Sequence, residues 1–572
     1  MTVLPFLVLA VIAGTGSLLL RSSRGWSTLI ALVGLVGMAG MASSMSPTAS
    51  IEIGGTVLAS SAWLRLYALL GSVVAIGLVV IDVTAAHEPD VPGVLVIGIG
   101  AGVLALALPD PGVAVLAATA GGLAGVLVAA PLGAAARAAF VGVRELRALA
   151  VAGALAILAT AWLARPLGAL AAEPAVFGLA YLAFGLAVAI RFGAIPFHLW
   201  AARVADAAPG SALPLLMAWG PAAFAAVALV WIDRSVAPLV LPLSIERAVI
   251  GAIGAVSVVL GLVAASIQDD LEHMVGYSIV ADAGVAVLSL AALDPAAWEP
   301  ARTWLLVFVV GRSAFAAWVV AAHGGFGTRR LPELGGWVRR APLLAVALVL
   351  IAIASVGWPG FVAWQARSTL IDLVLPDPIA VAVTIAPLGA LVIYGRILLV
   401  GMRPQSPAVA EGRGERPRWP APLPRRPIVG QSGVERSFER VSHALGGGLD
   451  VLWLVPAAAR TNRMPAAAMA VLLLSGLAFL VGAGGLGVTD AARAVPVVGN
   501  GPGPSSGPIE SVGPGGSGVP VASGTPIASG SPVASGTPGV SGTPGASGTP
   551  GASGVSGATG SPGSEPSFAP VP

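Results

Sequence analysis

Apolar residues run along this chain in long blocks, with polar residues gathered between them. Blocks long enough to cross about 30 Å of hydrocarbon fall at 3–20, 26–43, 63–82, 92–108, 112–130, 136–163, 175–199, 211–232, 248–266, 276–293, 301–322, 341–371, 378–402 and 467–486. Each predicts a membrane-spanning helix, about fourteen in all, because backbone in lipid must satisfy its own hydrogen bonds. The links between the first two blocks and between 92–108 and 112–130 are short, so the count rests there on a few residues. The opening stretch Met1–Leu20 has no basic start and no small-residue cleavage site. It therefore predicts a retained span rather than a signal peptide.

The polar positions set the organisation. Residues 1–402 form the main transmembrane domain, 403–466 a polar loop, 467–486 the last span and 495–572 a tail. Within the loop, Val434–Leu454 spaces apolar residues helically between charges. That pattern fits an amphipathic helix or a plain linker. The tail turns to Gly, Pro, Ser, Thr and Val, a composition that cannot bury a core and predicts disorder. Glycine recurs at every third position from Gly536 to Gly563, as in a collagen repeat, but the run is short and slipped-repeat disorder is expected.

Composition excludes a soluble body. The 572 residues are 56% hydrophobic and 10% charged, with mean hydropathy +0.91, against about 25% charged in soluble domains. Without cysteine the chain offers no disulfide, iron–sulfur cluster or thiolate metal site. No metal site and no resident cofactor are expected. The formal charge is +3, and all 30 basic residues are arginine, which holds its proton where lysine can titrate. Of the arginines in loops and at their edges, 18 fall in odd-numbered loops and 5 in even loops or the tail. The positive-inside rule then places odd loops in the cytoplasm and both termini outside.

Two spans are interrupted alike. Ala189–Trp200 reads AIRFGAIPFHLW and Val356–Arg367 reads VGWPGFVAWQAR. Each joins Gly and Pro to an intramembrane Arg. Such breaks free backbone groups, which lipid does not accept but a protein-lined cavity does. Paired broken helices in corresponding halves point to inverted repeats with an ion path between them.

Four stretches carry a family resemblance. Arg191–Leu213 (RFGAIPFHLWAARVADAAPGSAL), Leu262–Gly284 (LVAASIQDDLEHMVGYSIVADAG), Leu331–Ala345 (LPELGGWVRRAPLLA) and VGWPGFVAWQARSTLI from Val356 follow in order. Together they resemble the proton-translocating, antiporter-like membrane subunits of respiratory complex I and of Mrp-type cation/proton antiporters. The resemblance implies an all-α membrane fold of about fourteen helices with two inverted repeats and two broken helices. It implies a central chain of buried ionisable residues, with a Glu on the fifth helix and lysines on the seventh, eighth and twelfth.

This chain departs from that pattern. The seventh-helix lysine position holds Arg191, the eighth Gly220, the twelfth Arg367 and the family's eleventh-helix lysine Arg312. The fifth-helix Glu corresponds to Thr119 by counting from Asp110, or to Glu145 on what should be the sixth helix. The loop lysine after Asp270-Leu271 is Glu272, followed by His273. His198 matches the family's histidine and is either a proton relay or a cap on freed backbone groups. The proton-path candidates are thus Arg191, His198, Arg312, Arg367 and Glu145.

The expected function is a non-redox membrane subunit of a complex I-like NADH:quinone oxidoreductase, with proton translocation coupled to electron transfer, along an impaired or rewired path. An Mrp-type antiporter subunit and a structural, non-pumping subunit are the alternatives. The expected partners are other membrane subunits and the lipid bilayer, with no nucleic acid. The expected location is a prokaryotic plasma membrane.

Overall fold

A computed structural model describes residues 1–86, 90–129, 136–163, 174–204, 208–237, 241–406 and 463–494, all within one unit, Met1–Gly501. Most of the polar loop, with its candidate amphipathic helix, and the tail with its glycine repeat lie outside the described residues. So do Asp206 and the side chains of Arg203 and Arg137.

Helices α1 (Leu4–Leu19), α2 (Arg24–Ser44), α3 (Ala62–Ile81), α4 (Val91–Ala107), α5 (Pro111–Ala129) and α6 (Ala136–Leu163) make the first six spans. The short links do separate α1 from α2 and α4 from α5. Helix α7 (Pro174–Phe192) breaks and resumes as α8 (Ala201–Val204). A π turn, Leu215–Trp219, leads into α9 (Gly220–Ser235). Next come α10 (Ser244–Ile267), α11 (Leu271–Ala291), α12 (Trp298–Phe326) and the single turn α13 (Trp337–Arg340). Helix α14 (Pro342–Val356) breaks into α15 (Val362–Val374), followed by α16 (Asp377–Ile385) and α17 (Ala390–Met402). Helix α18 (Arg463–Gly482) is the last span, and the short α19 (Val488–Arg493) follows it. Ten of these segments are long and apolar enough to cross a membrane, and four shorter apolar helices accompany them. The fold is therefore an all-α membrane bundle.

Sequence character sorts the helices. Helix α12 is apolar on every face through its middle, around a central arginine, and that middle stretch is wholly buried, as expected of an all-round apolar helix. Gly327 ends it with φ +71°, the left-handed C-terminal cap that glycine takes most easily. Helix α11 begins at Asp270, whose Oδ1 accepts from the Glu272 and His273 amides. Helices α10 and α11 pack through small residues. A Cβ added to Gly284 would lie 2.6 Å from the Gly254 carbonyl, so only glycine permits this approach of two backbones.

One element has no counterpart in the sequence reading. Strands β1 (Ser50–Ile53) and β2 (Thr56–Ala59) form an antiparallel hairpin between the second and third spans. Gly54 and Gly55, both at positive φ, supply the two-residue turn that matches strand twist. The last span also ends earlier than its apolar run, at Gly482, where Gly484 at φ +93° turns the chain.

Candidate functional site

The first break follows α7. Gly193, at φ +63°, turns the backbone, and the Ile195–Pro196 bond is cis. The freed groups find partners from elsewhere. The Ile195 amide donates to Ser257 Oγ on α10 at 2.9 Å, and Trp200 Nε1 reaches back to the Ile190 carbonyl at 3.0 Å. His198 stands in the 3₁₀ turn of this break, and its Nδ1 is buried without a hydrogen-bond partner among the described residues. It therefore does not cap the freed backbone through that nitrogen.

Two residues before the turn, Arg191 points inward and is 5% exposed. Its Nη1 donates to the Leu216 carbonyl at 3.5 Å, inside the π turn that leads into α9. The room for its guanidinium comes from glycine. A Cβ on Gly122 of α5 would stand 2.8 Å from Nη2, and one on Gly220 would stand 2.9 Å away. Arg191 thus fills space that a side chain at position 220 would need. A cleft of about 410 Å³ lies beside it, lined by Gly98, Gly102, Gly122, Gly220 and Leu216 among others.

Glu145 lies on α6, as expected, and is 2% exposed with Oε1 unpartnered among the described residues. Its carboxylate is in electrostatic range of Arg191. Thr119 on α5 instead spends its hydroxyl on the Val115 carbonyl at 2.7 Å. Of the two positions left open by sequence, only Glu145 brings a carboxylate to Arg191.

The π turn links the two halves. Tyr67 of α3 donates to the Trp219 carbonyl at 2.9 Å and packs edge-on to the Trp219 ring. Trp219 Nε1 in turn donates to Ser313 Oγ on α12 at 3.0 Å. Ser313 follows Arg312, the centre of the second cluster. Arg312 Nε donates to Asp282 Oδ2 on α11 at 2.6 Å, and Nη1 to the Tyr394 hydroxyl on α17 at 3.1 Å. The Tyr394 hydroxyl in turn donates to Ser355 Oγ on α14 at 3.0 Å.

Ser355 borders the second break. Gly357 and Gly360, at φ +67° and +99°, turn the chain there. Arg367 of α15 returns to it, donating from Nη2 to the Val356 carbonyl at 2.8 Å. Its guanidinium also lies 5.8 Å from the Trp304 ring centre and 5.2 Å from that of Trp364, so two aromatic faces stabilise the cation. The broken helices are the seventh and twelfth spans. An odd separation of five makes them run in opposite directions, the arrangement of inverted repeats.

The structure thus brings Glu145 to Arg191, and Arg312 to the neighbourhood of Arg367, around one buried polar line. His198 stands apart at the break. Asp282, Tyr394, Tyr67 and Ser355 were not singled out in the sequence. Asp282 had a signal, since a carboxylate inside an apolar span is costly and so marks a site. The hydroxyls had none, because Tyr and Ser in spans are common and only their partners give them meaning.

Residues 167–391 match the family model described as NADH:quinone oxidoreductase/Mrp antiporter, TM. This segment is similar to the antiporter-like membrane domain of that family. The NADH-quinone oxidoreductase subunit N of Thiobacillus denitrificans is 29% identical over 205 residues, 35% of this chain and 41% of that protein. The chain thus spans about two-fifths of the length of the curated relatives it matches. A chain of respiratory complex I from Thermus thermophilus superimposes with TM-score 0.57 at 16% identity, covering 83% of this chain and 97% of that one. A chain of the Mrp complex from Dietzia gives TM-score 0.62 at 16% identity, covering 85% and 95%. Fold similarity therefore reaches well beyond the segment alike in sequence.

Proposed function

We propose that this chain is a membrane subunit of a complex I-like, proton-translocating NADH:quinone oxidoreductase. The observation that carries the reading is the buried polar line from Glu145 and Arg191, past Trp219 and Ser313, to Arg312, Asp282, Tyr394 and Arg367. Buried ionisable groups inside a bundle are expensive and are kept where charge must move. The named relatives support the choice of complex. The chain itself carries no redox step in this reading, and electrons pass through partner subunits in the same membrane.

The proton path is rewired rather than copied. Arginines serve as fixed positive charges, because guanidinium scarcely titrates. Glu145 and Asp282 are the groups that take up and release protons, with His198 as a third. Each accepts a proton on a carboxylate oxygen, or a ring nitrogen, and returns it to water. Arg191 near Glu145 and Arg312 against Asp282 supply a fixed positive charge beside each carboxylate. Odd loops face the cytoplasm and both termini face outward across a prokaryotic plasma membrane.

The test uses the complex in proteoliposomes, with NADH-driven proton uptake and quinone reduction measured together. Glu145→Gln and Asp282→Asn should abolish most proton uptake while quinone reduction continues; Arg191→Lys and Arg367→Lys should keep uptake. Full uptake in both carboxylate variants would leave the chain a bracing subunit.

A second reading is an Mrp-type cation/proton antiporter subunit, favoured by the TM-score of 0.62 against the Dietzia complex. Purification away from any NADH:quinone activity, with sodium-dependent antiport, would establish it over the first.

A further inference from the structure

Away from the polar line, a second cavity lies where several helix ends meet. It takes in about 740 Å³ of space, part of it open to solvent. Its walls are the first turn of α3, the end of α4, the start of α5, and the faces of α9 and α12 near the same level. Leu64, Leu106, Ala114, Ala226, Val227 and Val230 make most of this wall apolar.

The polar groups in the cavity are unequal in sign. Arg234 and Arg302 both line it and lie within electrostatic range of each other. Asp233 is the one carboxylate acting on both, and among the described residues it reaches neither at ion-pair distance. Glu299, near the same end of α12, is already paired with Arg493 at 2.8 Å. The local balance is one positive charge in excess. Each cavity arginine uses one donor on backbone, Arg234 on the Pro109 carbonyl at 3.0 Å and Arg302 on the Ala492 carbonyl at 3.2 Å. A guanidinium has five N–H donors, so among the described residues most of both forks remain.

A further observation points to a ligand. Ser60 lines the same cavity at 2% exposure, and its Oγ has no hydrogen-bond partner among the described residues. A buried hydroxyl without a partner costs about 1–3 kcal/mol, a penalty that an acceptor in the cavity removes. We infer that this cavity binds an anionic phospholipid. Its phosphate is held by Arg234 and Arg302 with Ser60 as a further donor, and an acyl chain runs along the apolar wall. Paired arginines fit phosphate oxygens in a bidentate way. The site at helix ends is the level at which a headgroup meets the bundle. None of its residues belongs to the polar line, so it stands independently of the proposed proton path.

The test uses the full chain, extracted with its assembly and stripped of lipid. Dioleoylphosphatidate, dioleoylphosphatidylcholine and inorganic phosphate are the probes, read by native mass spectrometry and thermal shift. Phosphatidate should be retained and should raise the melting temperature; phosphatidylcholine should do neither. The Arg234→Ala/Arg302→Ala pair should weaken phosphatidate binding by about tenfold or more, the scale of one lost charge-assisted hydrogen bond. Ala226→Phe, which narrows the apolar wall, should weaken it too, and serves if the arginine pair fails to fold. Equal retention of both lipids would overturn the proposal. So would equal stabilisation by inorganic phosphate, or wild-type binding in either variant.

Discussion

Arg312 meets Asp282 at 2.6 Å between α12 and α11, with the arginine side chain 2% exposed and the aspartate 15%. Neither charge would be stable alone at that depth. A buried ion is acceptable when it is paired and its remaining hydrogen-bonding groups are satisfied. Here Tyr394 takes one further guanidinium donor, and Arg312 anchors three helices at once.

Asp282→Asn should therefore destabilise strongly, by about 3–5 kcal/mol, because it leaves an uncompensated buried cation. The Asp282→Asn/Arg312→Gln double variant should recover much of that loss. Thermal unfolding of all three forms in one detergent measures the coupling, and strictly additive losses would mean the pair is not a unit.

Tyr394→Phe removes an acceptor from Arg312 and a donor to Ser355 while keeping the ring. The expected cost is about 1–3 kcal/mol, the range for leaving a buried polar partner unsatisfied. Ser355→Ala removes only the second bond and should cost less. A larger loss in Ser355→Ala would contradict the order of the chain.

Gly220→Ala should be most harmful while Arg191 is present. The added Cβ falls 2.9 Å from Nη2 and 3.3 Å from the Leu215 carbonyl, an overpacking that typically costs about 1–3 kcal/mol. Arg191→Lys withdraws the fork and should relieve most of the penalty in the double variant. Equal melting-temperature drops with Arg or Lys at position 191 would show that the guanidinium does not compete for that space.

Ser257→Ala tests the first break. It leaves the Ile195 amide without its side-chain acceptor in a region where water is scarce, for an expected loss of about 1–3 kcal/mol. Faster hydrogen exchange at the amides of residues 193–197 should accompany it. Unchanged exchange would mean the bond is not what holds the break.

Much of the architecture is legible along the chain. Twenty-residue apolar blocks have one stable solution in lipid, so the spans follow from hydropathy. Gly193 with Pro196, and Gly357 with Pro359 and Gly360, announce the two breaks, since these residues cannot continue a helix without freeing backbone groups. The hairpin before α3 was overlooked because four-residue strands scarcely register beside long apolar runs, although the Gly-Gly pair marked its turn.

The candidate site was legible in part. Arg191, Arg312 and Arg367 stood out because charge inside apolar sequence is conspicuous. By helix position the sequence favours Thr119 over Glu145 for the fifth-helix carboxylate position, but helix position does not say which face points inward. In the structure Glu145 stands on α6 within electrostatic range of Arg191, while the Thr119 hydroxyl on α5 closes on its own helix.

Sequence by itself determined that this chain is a bundle of membrane spans, broken twice, with charge buried beside each break. Only the tertiary structure decided which charges meet. Partners such as Asp282 and Arg312, or Tyr67 and Trp219, lie on helices far apart in sequence. Hydropathy fixes a helix's place in lipid but leaves its rotation open, and that rotation is set by its neighbours' side chains.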